Sequence, residues 1–325
     1  MEIYLNNAIM HIVDNQKKNI IYSQNELDID SDMVSEFLTK HIKKLNSSIA
    51  VKNATFLPDS PILNIFESFK NKEINFKELS KKMCQNLADI MIENKNIPSA
   101  SIIFAQIDLG RYPHLAIIKL NHRDYYTHET TNEETRLIRS KKGLPFDSGK
   151  VEEAALIAYS PMIIKLIEKP YPLEKSLESE NNSDEYFSSE FLKCEPELSK
   201  KTIVEIINNA ISDIEEIHGF LQACKIKLGL IDESIENEGE IRLEQIGKYL
   251  EKEIQSEFLK YLKDYGLNED VFLGDKFVSQ KFGKHTIKSS NGTEIKIPVH
   301  IFDDENAIKF IQKENSIDIK GIKFV

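Results

Sequence analysis

The spacing of apolar residues changes several times along the chain, and each change predicts a secondary-structure element. β-rich residues at Ile3–Val13 and in the segment KNIIYSQ predict two opening strands. Apolar residues then recur three and four positions apart in SDMVSEFLTKHIKKL, SPILNIFESF and NFKELSKKMCQNLADIMIEN, which predicts three helices. Ser60 is predicted to cap the second of these helices, with Pro61 in its first turn. Four strand-like segments follow between residues 99 and 169. The simplest assembly of these elements is an antiparallel sheet with helices on one side, which places the chain in the α+β class.

The apolar pattern is lost near residue 174. The segment EKSLESENNSDEYFSSEF is polar and acidic, so residues 174–198 are predicted to form an acidic linker or mobile loop. This linker would divide the chain into an N-terminal domain of mixed helices and antiparallel sheet, residues 1–173, and a C-terminal region, residues 199–325.

The C-terminal region begins with an amphipathic pattern that predicts one long helix over residues 199–228. We expect this helix to serve packing or homodimerisation. Helical periodicity continues through RLEQIGKYLEKEIQSEFLKYLKDYG and then gives way to a period of two. The segment KHTIKSSNGTEIKIPVHIF predicts a hairpin with a type I′ turn at Asn291–Gly292. The last residues, NAIKFIQKENSIDIKGIKFV, are expected to complete a small antiparallel sheet.

Composition narrows the class of protein without identifying it. Of the 325 residues, 41% are hydrophobic, which is ordinary for a globular protein, and the net charge of −11 argues against a uniformly basic surface. Cys84, Cys194 and Cys224 form no CxxC pair, so we expect them in the core rather than in a zinc knuckle or disulfide framework. The chain shows no signal peptide and no apolar run of about 20 residues, so a cytoplasmic protein without a membrane span is expected.

The segment GRYPHLAIIKLNHRDYYTHET, residues 110–130, concentrates three histidines around a short apolar run. As a strand, its apolar middle would face covered surface on both sides, as in a central strand. His114 and His122 would then lie about 26 Å apart at roughly 3.3 Å per residue, too far to share one metal ion. We therefore expect polar residues at the ends of a sheet strand. The sequence also contains none of the common catalytic motifs, so no metal, no cofactor and no enzymatic activity are predicted.

Positive charge is concentrated locally within this acidic chain. The segment TRLIRSKKG carries four basic residues and no acid, and TKHIKK adds three lysines on the first predicted helix. Such clusters can neutralise DNA phosphates, although an ordinary solvated surface explains each cluster taken alone. No recognition helix, zinc finger or RNA-binding motif accompanies them, so base readout is not predicted. The predicted DNA-contacting residues are Lys40, Lys43, Lys44, Arg136, Arg139, Lys141 and Lys142.

Several segments together resemble one protein family nearly end to end. They are IYLNNAIMHIVD, RLIRSKKGLPFDSGKVEEAALIAYSPMIIKLIEKPY, EFLKCEPELSKKTIVEIINNAI and HTIKSSNGTEIKIPVHIFDDENAIKFIQKENSIDIKGI. In this order they are similar to the bacterial nucleoid-associated protein family, NdpA-like. The resemblance implies a soluble cytoplasmic protein at the nucleoid that binds DNA without strong sequence preference and is not an enzyme. It transfers no catalytic residues.

Two main hypotheses follow from the sequence. The first is a non-enzymatic, nucleoid-associated protein that touches DNA phosphates through local basic patches. The second is an acidic protein-interaction module that reaches the nucleoid by binding basic DNA-handling enzymes. A third hypothesis, a hydrolase that uses the histidines of residues 114–128, is disfavoured because no ligand or nucleophile set accompanies them.

Overall fold

The chain folds as two units, Met1–Ser199 and Lys200–Val325, in a computed structural model. The structure describes residues 2–131, 134–172, 185–288, 292–303, 309–313 and 316–320. Both units contain helices and antiparallel strands, so the predicted α+β class is confirmed. Of the predicted linker, residues 174–184 lie outside the described residues.

Unit 1 combines helices with a large antiparallel sheet. Its described helices are α1 (Asp32–Ser47), α2 (Pro61–Lys70), α3 (Phe76–Glu93) and a π-helical turn at Phe187–Leu192. Its described strands are β1 (Ile3–Asp14), β2 (Asn19–Ile21), β3 (Lys52–Phe56), β4 (Ala100–Leu109), β5 (Tyr112–Asn121), β6 (Arg123–Thr131), β7 (Glu134–Gly143), β8 (Glu153–Ala158), β9 (Ile164–Ile167) and β10 (Cys194–Pro196). Eight of these strands form one sheet in the order β10-β3-β9-β8-β5-β4-β1-β2, and within the described chain β6 and β7 pair only with each other.

Local side chains fix where the second and third helices begin. The Ser60 hydroxyl accepts a hydrogen bond from the Leu63 amide (3.2 Å), and Pro61 occupies the first turn, as predicted. At the start of α3, Asn75 and Glu78 each accept a hydrogen bond from the other's backbone amide, which forms a capping box.

β5 lies inside the sheet and sends apolar side chains to both of its faces, as predicted for a central strand. Ile117 packs in the core formed with α2 and α3, whereas Ile118 packs in the core formed with α1. Helices therefore cover both faces, and the expectation that they lie on one side is wrong. The physical reason is the continuous apolar run of residues 115–118, which would expose one set of side chains if a face were left bare.

The described part of the predicted linker is folded rather than extended. Tyr186, Phe187 and Phe191 are fully buried, and β10 pairs with β3 and forms one edge of the sheet. The polar appearance of EYFSSEF is misleading because the π-helical turn places these aromatic rings in the core while Ser189 and Glu190 face solvent. The prediction of a linker or mobile loop is therefore wrong for residues 185–198.

A network of buried polar side chains lies near the end of β5. Lys119 and Glu153 are directly opposed on β5 and β8, and their side chains form an ion pair with no solvent exposure. The Lys119 ammonium also donates to Asn121 Oδ1 (2.6 Å), and Glu153 accepts hydrogen bonds from the hydroxyls of Tyr186 and Tyr171. Desolvation lowers the pKa of Lys119 and, together with Glu153, raises that of Tyr186. The network thus anchors the Tyr186 segment to the sheet.

Unit 2 has its own hydrophobic core, which is formed mainly by helices. In the described chain these are α4 (Lys200–His218), α5 (Phe220–Glu236), α6 (Leu243–Ile246), α7 (Lys252–Asp264) and α8 (Asp275–Phe282), with 3-10 turns at Gly247–Tyr249 and Val299–Asp303. The prediction of a single helix over residues 199–228 is wrong, because the helix is interrupted at Gly219, where φ is +86°. Only glycine adopts this backbone conformation readily, so the helix ends and a second one starts. The apolar face of α4 packs within the core of the unit.

Short antiparallel strands complete unit 2. The pairs are β11 (Glu240–Ile241) with β12 (Val271–Phe272), β13 (Lys284–Lys288) with β14 (Glu294–Pro298), and β15 (Lys309–Lys313) with β16 (Ser316–Lys320). The predicted hairpin in KHTIKSSNGTEIKIPVHIF is confirmed, while Asn291 of its turn lies outside the described residues. No helix in the described chain is long and apolar enough to cross a membrane.

Replacing Lys119 by Met should lower the free energy of unfolding by about 3–5 kcal/mol, because Glu153 would remain buried without its cation. Urea denaturation followed by circular dichroism measures the loss. Lys169→Met is the matched control: its half-exposed ammonium lies 3.7 Å from Glu152, so its loss should cost less than about 1 kcal/mol. Equal losses in the two variants would contradict the role of the buried pair.

Stability should also fall as the pH is lowered, through His11. The Ser23 amide donates to its Nδ1 (3.1 Å), its Nε2 lies 3.0 Å from Ser80 Oγ, and burial lowers its pKa from 6.5 to about 4. Between these pH values the unfolded chain binds a proton that the folded chain excludes, so about 3 kcal/mol should be lost from pH 6.5 down to 4. Denaturation of His11→Gln should show a smaller pH dependence; an unchanged one would contradict this assignment.

Candidate nucleic-acid interface

Strands β6 and β7 form a two-stranded ribbon that begins one residue after β5 ends. Only His122 separates β5 from β6, so the chain leaves the covered sheet and enters the ribbon directly. Most described side chains of the ribbon are exposed, including Tyr126 and Leu137. A two-stranded ribbon has little core of its own, so its position depends on the sheet from which it emerges.

Cross-strand pairing divides the ribbon side chains between two faces, because paired residues point the same way and successive residues alternate. The pairs Tyr126–Arg139, His128–Leu137 and Thr130–Thr135 lie on one face, called here the Tyr126 face. The pairs Tyr125–Ser140, Thr127–Ile138 and Glu129–Arg136 lie on the other, called here the Tyr125 face.

The predicted arginines occupy opposite faces and different electrostatic settings. Arg139 pairs with Asp124, which accepts hydrogen bonds from Nε (3.1 Å) and Nη2 of the guanidinium. Arg136 lies on the Tyr125 face, 3.1 Å from Glu134 on its own strand. Both pairs are largely exposed, so each is weak and can exchange for another anion.

The base of the ribbon is irregular and brings Lys142 next to the sheet. The pairing register shifts between Arg123 and Tyr125, which leaves residues 141–142 in a bulge. The Tyr125 ring packs against Gly143, and a Cβ at that position would overlap the ring. The side chain of Lys141 lies outside the described part of the chain.

A cleft beside this base collects lysines from three separate parts of the sequence. Lys17 and Lys18 come from the β1–β2 turn, Lys95 from the loop after α3, and Lys142 from the ribbon; Asp14 and Asp124 also line the cleft. Among the described residues that line the cleft, four are lysines and two are carboxylates, and one of these carboxylates, Asp124, is paired with Arg139. The cleft is therefore locally positive in a chain of net charge −11.

Hydrogen bonds fix the shape of the cleft. The Asn15 amide donates to Ser99 Oγ (2.9 Å), and the Asn15 side chain donates to the carbonyls of Asn94 (3.0 Å) and Ile97 (2.6 Å). These bonds join the turn that carries Lys17 and Lys18 to the loop that carries Lys95. Two of the lysine-bearing segments are thus held in fixed relation before any ligand binds.

His122 forms part of the cleft wall, and its pKa is affected by the positive charge in the cleft. Its Nε2 lies 3.1 Å from Ser101 Oγ, and the ring is half-buried. Desolvation lowers the pKa of His122, and the nearby ammonium of Lys142 lowers it further. The imidazole is therefore neutral near pH 7, and the positive charge of the cleft comes from its lysines.

The predicted lysines of the first helix have different environments. Lys40 pairs with Glu36 and Asp147 (2.6 Å each), and Lys44 donates to the carbonyls of Asp147 and Gly149 (2.7 Å each). These two ammonium groups hold the loop that follows β7, so the structure gives them an internal role. Lys43 is exposed and has no ion pair among the described residues. DNA contact by these lysines stays a prediction.

Comparison with known families gives one match that covers nearly the whole chain. The model of the family Nucleoid-associated protein YejK matches residues 9–324. The chain belongs to this family. The resemblance found from the sequence is thereby confirmed, and membership supports a nucleoid-associated role. A comparison with curated proteins gave no significant match.

Within the part of the chain that the structure describes, basic side chains from separate segments of the sequence converge at the ribbon and the cleft. The basic runs of the sequence pointed to Arg136, Arg139 and Lys142 but not to Lys17, Lys18 and Lys95. The adjacent lysines in NQKKN were a visible signal, but their proximity to Lys142 depends on tertiary contacts.

Among the described residues, the histidines and cysteines that could bind a metal or act as nucleophiles are scattered or buried. His114 Nδ1 bonds the carbonyl of Tyr112 (2.8 Å), away from His122, and the described residues contain no cluster of three or more metal-ligating side chains. Cys84, Cys194 and Cys224 are buried as predicted, and burial raises the pKa of each thiol to about 12.

Proposed function

We propose that the chain is a non-enzymatic, nucleoid-associated DNA-binding protein that contacts phosphates without strong sequence preference, through the β6–β7 ribbon and the cleft at its base. The observation that carries the proposal is the convergence of Lys17, Lys18, Lys95 and Lys142 beside an exposed ribbon. Family membership supports the same location, in the bacterial cytoplasm at the nucleoid.

Phosphate contact follows from elementary electrostatics. Each phosphate neutralised by a lysine releases condensed counterions from DNA, which favours binding at low salt. The contacts need no particular base because ammonium groups bind phosphate as point charges. Lys43, Arg136, Arg139 and Lys141 are retained as further candidates, since each lies on α1 or on the ribbon.

A cleft in unit 2 provides an internal comparison. Arg242 and Lys263 line it together with Glu244, Glu269 and Asp270, so it carries more acid than base. This cleft should repel phosphate while the ribbon cleft attracts it.

The second hypothesis, an acidic module that reaches the nucleoid through protein partners such as DNA-handling enzymes, makes the opposite prediction. Under it, the purified protein would not bind DNA at any salt concentration, and a pull-down for protein partners would be the next experiment.

Lys17→Ala/Lys18→Ala/Lys142→Ala should weaken binding to a duplex of about 30 base pairs by about tenfold or more and reduce the salt slope by up to about 2.7, which is about 0.9 for each lost phosphate contact. Fluorescence anisotropy over a series of salt concentrations measures both quantities. The matched control removes three exposed lysines from α7, Lys252→Ala/Lys260→Ala/Lys263→Ala, and should leave the slope unchanged. Equal losses in both triple variants would contradict the proposed interface.

Asp124→Asn should strengthen DNA binding, because it removes a carboxylate and releases the Arg139 guanidinium for phosphate. A double-mutant cycle with Arg139→Ala separates these effects: the gain should shrink when Arg139 is absent. Anisotropy of the four proteins gives the coupling. A gain of equal size in both backgrounds would contradict the release of Arg139 as a source of the gain.

A further inference from the structure

The Tyr126 face of the ribbon exposes a contiguous set of apolar and aromatic side chains. Tyr126 is 64% exposed and Leu137 is 75% exposed, and they are diagonal neighbours in adjacent cross-strand pairs. Single exposed apolar residues need no explanation, but neighbouring exposed apolar residues on a ribbon such as this one mark a contact surface. His128 and Arg139 complete the patch.

Acidic residues are distributed unequally between the two faces. Glu129 lies on the Tyr125 face, whereas the described carboxylate on the Tyr126 side is Asp124, which Arg139 already neutralises. The Tyr126 face can therefore approach a polyanion without placing an unpaired carboxylate against it. Contact with an acidic or neutral partner would not explain why unpaired carboxylates are kept off the Tyr126 face.

The Tyr126 face is also continuous with the lysine cleft. Asp124 belongs to both, since it bonds Arg139 on the ribbon and lines the cleft beside Lys142. An elongated polyanion anchored in the cleft would run along this face. From His122 in the cleft wall to His128 on the ribbon, opposite Leu137, the extended chain spans about 20 Å at roughly 3.3 Å per residue, a length of about six base pairs.

We infer that the Tyr126 face lies against the bases of duplex DNA and that Leu137 inserts between base pairs as an apolar wedge, with the lysine cleft as the phosphate anchor. The inference rests on the proposed DNA-binding function and extends it from phosphate contact to deformation of the duplex. A two-stranded ribbon fits a DNA groove, and apolar side chains wedged into base steps unstack them and kink the helix. Leucine has no hydrogen-bonding group, so the wedge favours easily unstacked steps such as TA over any particular base.

Two measurements on one labelled duplex test the wedge. The duplex has about 30 base pairs, 2-aminopurine at a central TA step, and a fluorophore pair at its ends. Binding of the wild type should raise the 2-aminopurine fluorescence and shorten the end-to-end distance. Leu137→Ser should reduce both signals by at least about half while the salt slope of binding stays unchanged. Met33→Ser, at a residue 77% exposed on α1, is the matched control and should change neither signal.

A pair of charge variants tests which face meets DNA. Thr130→Glu and Thr127→Glu add the same charge to exposed positions of one strand, but on the Tyr126 and Tyr125 faces respectively. Thr130→Glu should weaken binding by about tenfold or more, and Thr127→Glu should have a clearly smaller effect. The reverse order would overturn the assignment of the face.

The outcomes separate the inference from the function on which it rests. Salt-sensitive binding without unstacking, or unstacking that persists in Leu137→Ser, would overturn the wedge and leave phosphate binding intact. Absence of wild-type binding would overturn both. Tighter binding to the single strand than to the duplex would also overturn the wedge, because it would assign Tyr126 to base stacking.

Discussion

The position of the ribbon depends on the buried ion pair between Lys119 and Glu153. These residues are cross-strand partners on β5 and β8 near the end of β5, and the exposed ribbon starts at Arg123, four residues after Lys119. A buried pair of this kind tolerates little movement, since a displaced partner would leave a charge unpaired in the core. The network also reaches Tyr171 and Tyr186, so sheet, ribbon origin and the Tyr186 segment are held by the same set of polar atoms.

This arrangement explains how unit 1 holds the β6–β7 ribbon in a defined position although the ribbon has little core of its own. The covered strand β5 fixes the origin of β6, and the β7 end is fixed by the loop that Lys40 and Lys44 hold against α1. Both ends of the ribbon are thus constrained by unit 1, while its side chains remain available on two faces. Binding elements placed on a rigid scaffold lose less conformational entropy when a ligand orders them.

Local charge, rather than net charge, decides what such a surface attracts. Screening limits interactions between exposed charges to about 8–10 Å at physiological salt, so distant carboxylates hardly affect a cleft that concentrates four lysines. A net charge of −11 is therefore compatible with phosphate binding at one place. The same acidity should disfavour nonspecific association with DNA elsewhere on the surface, which restricts contact to the positive site.

The sequence by itself determined the elements whose signals are local. The period of apolar residues identified β5 as a strand covered on both sides, Ser60 and Pro61 marked the start of α2, and the quoted segments pointed to the nucleoid-associated family. Only the tertiary structure decided the rest, because periodicity shows that a face is apolar but not which element covers it. Helices on both faces of the sheet, the burial of Tyr186 in a polar-looking segment, and the meeting of Lys17, Lys95 and Lys142 all depend on contacts between residues far apart in the chain.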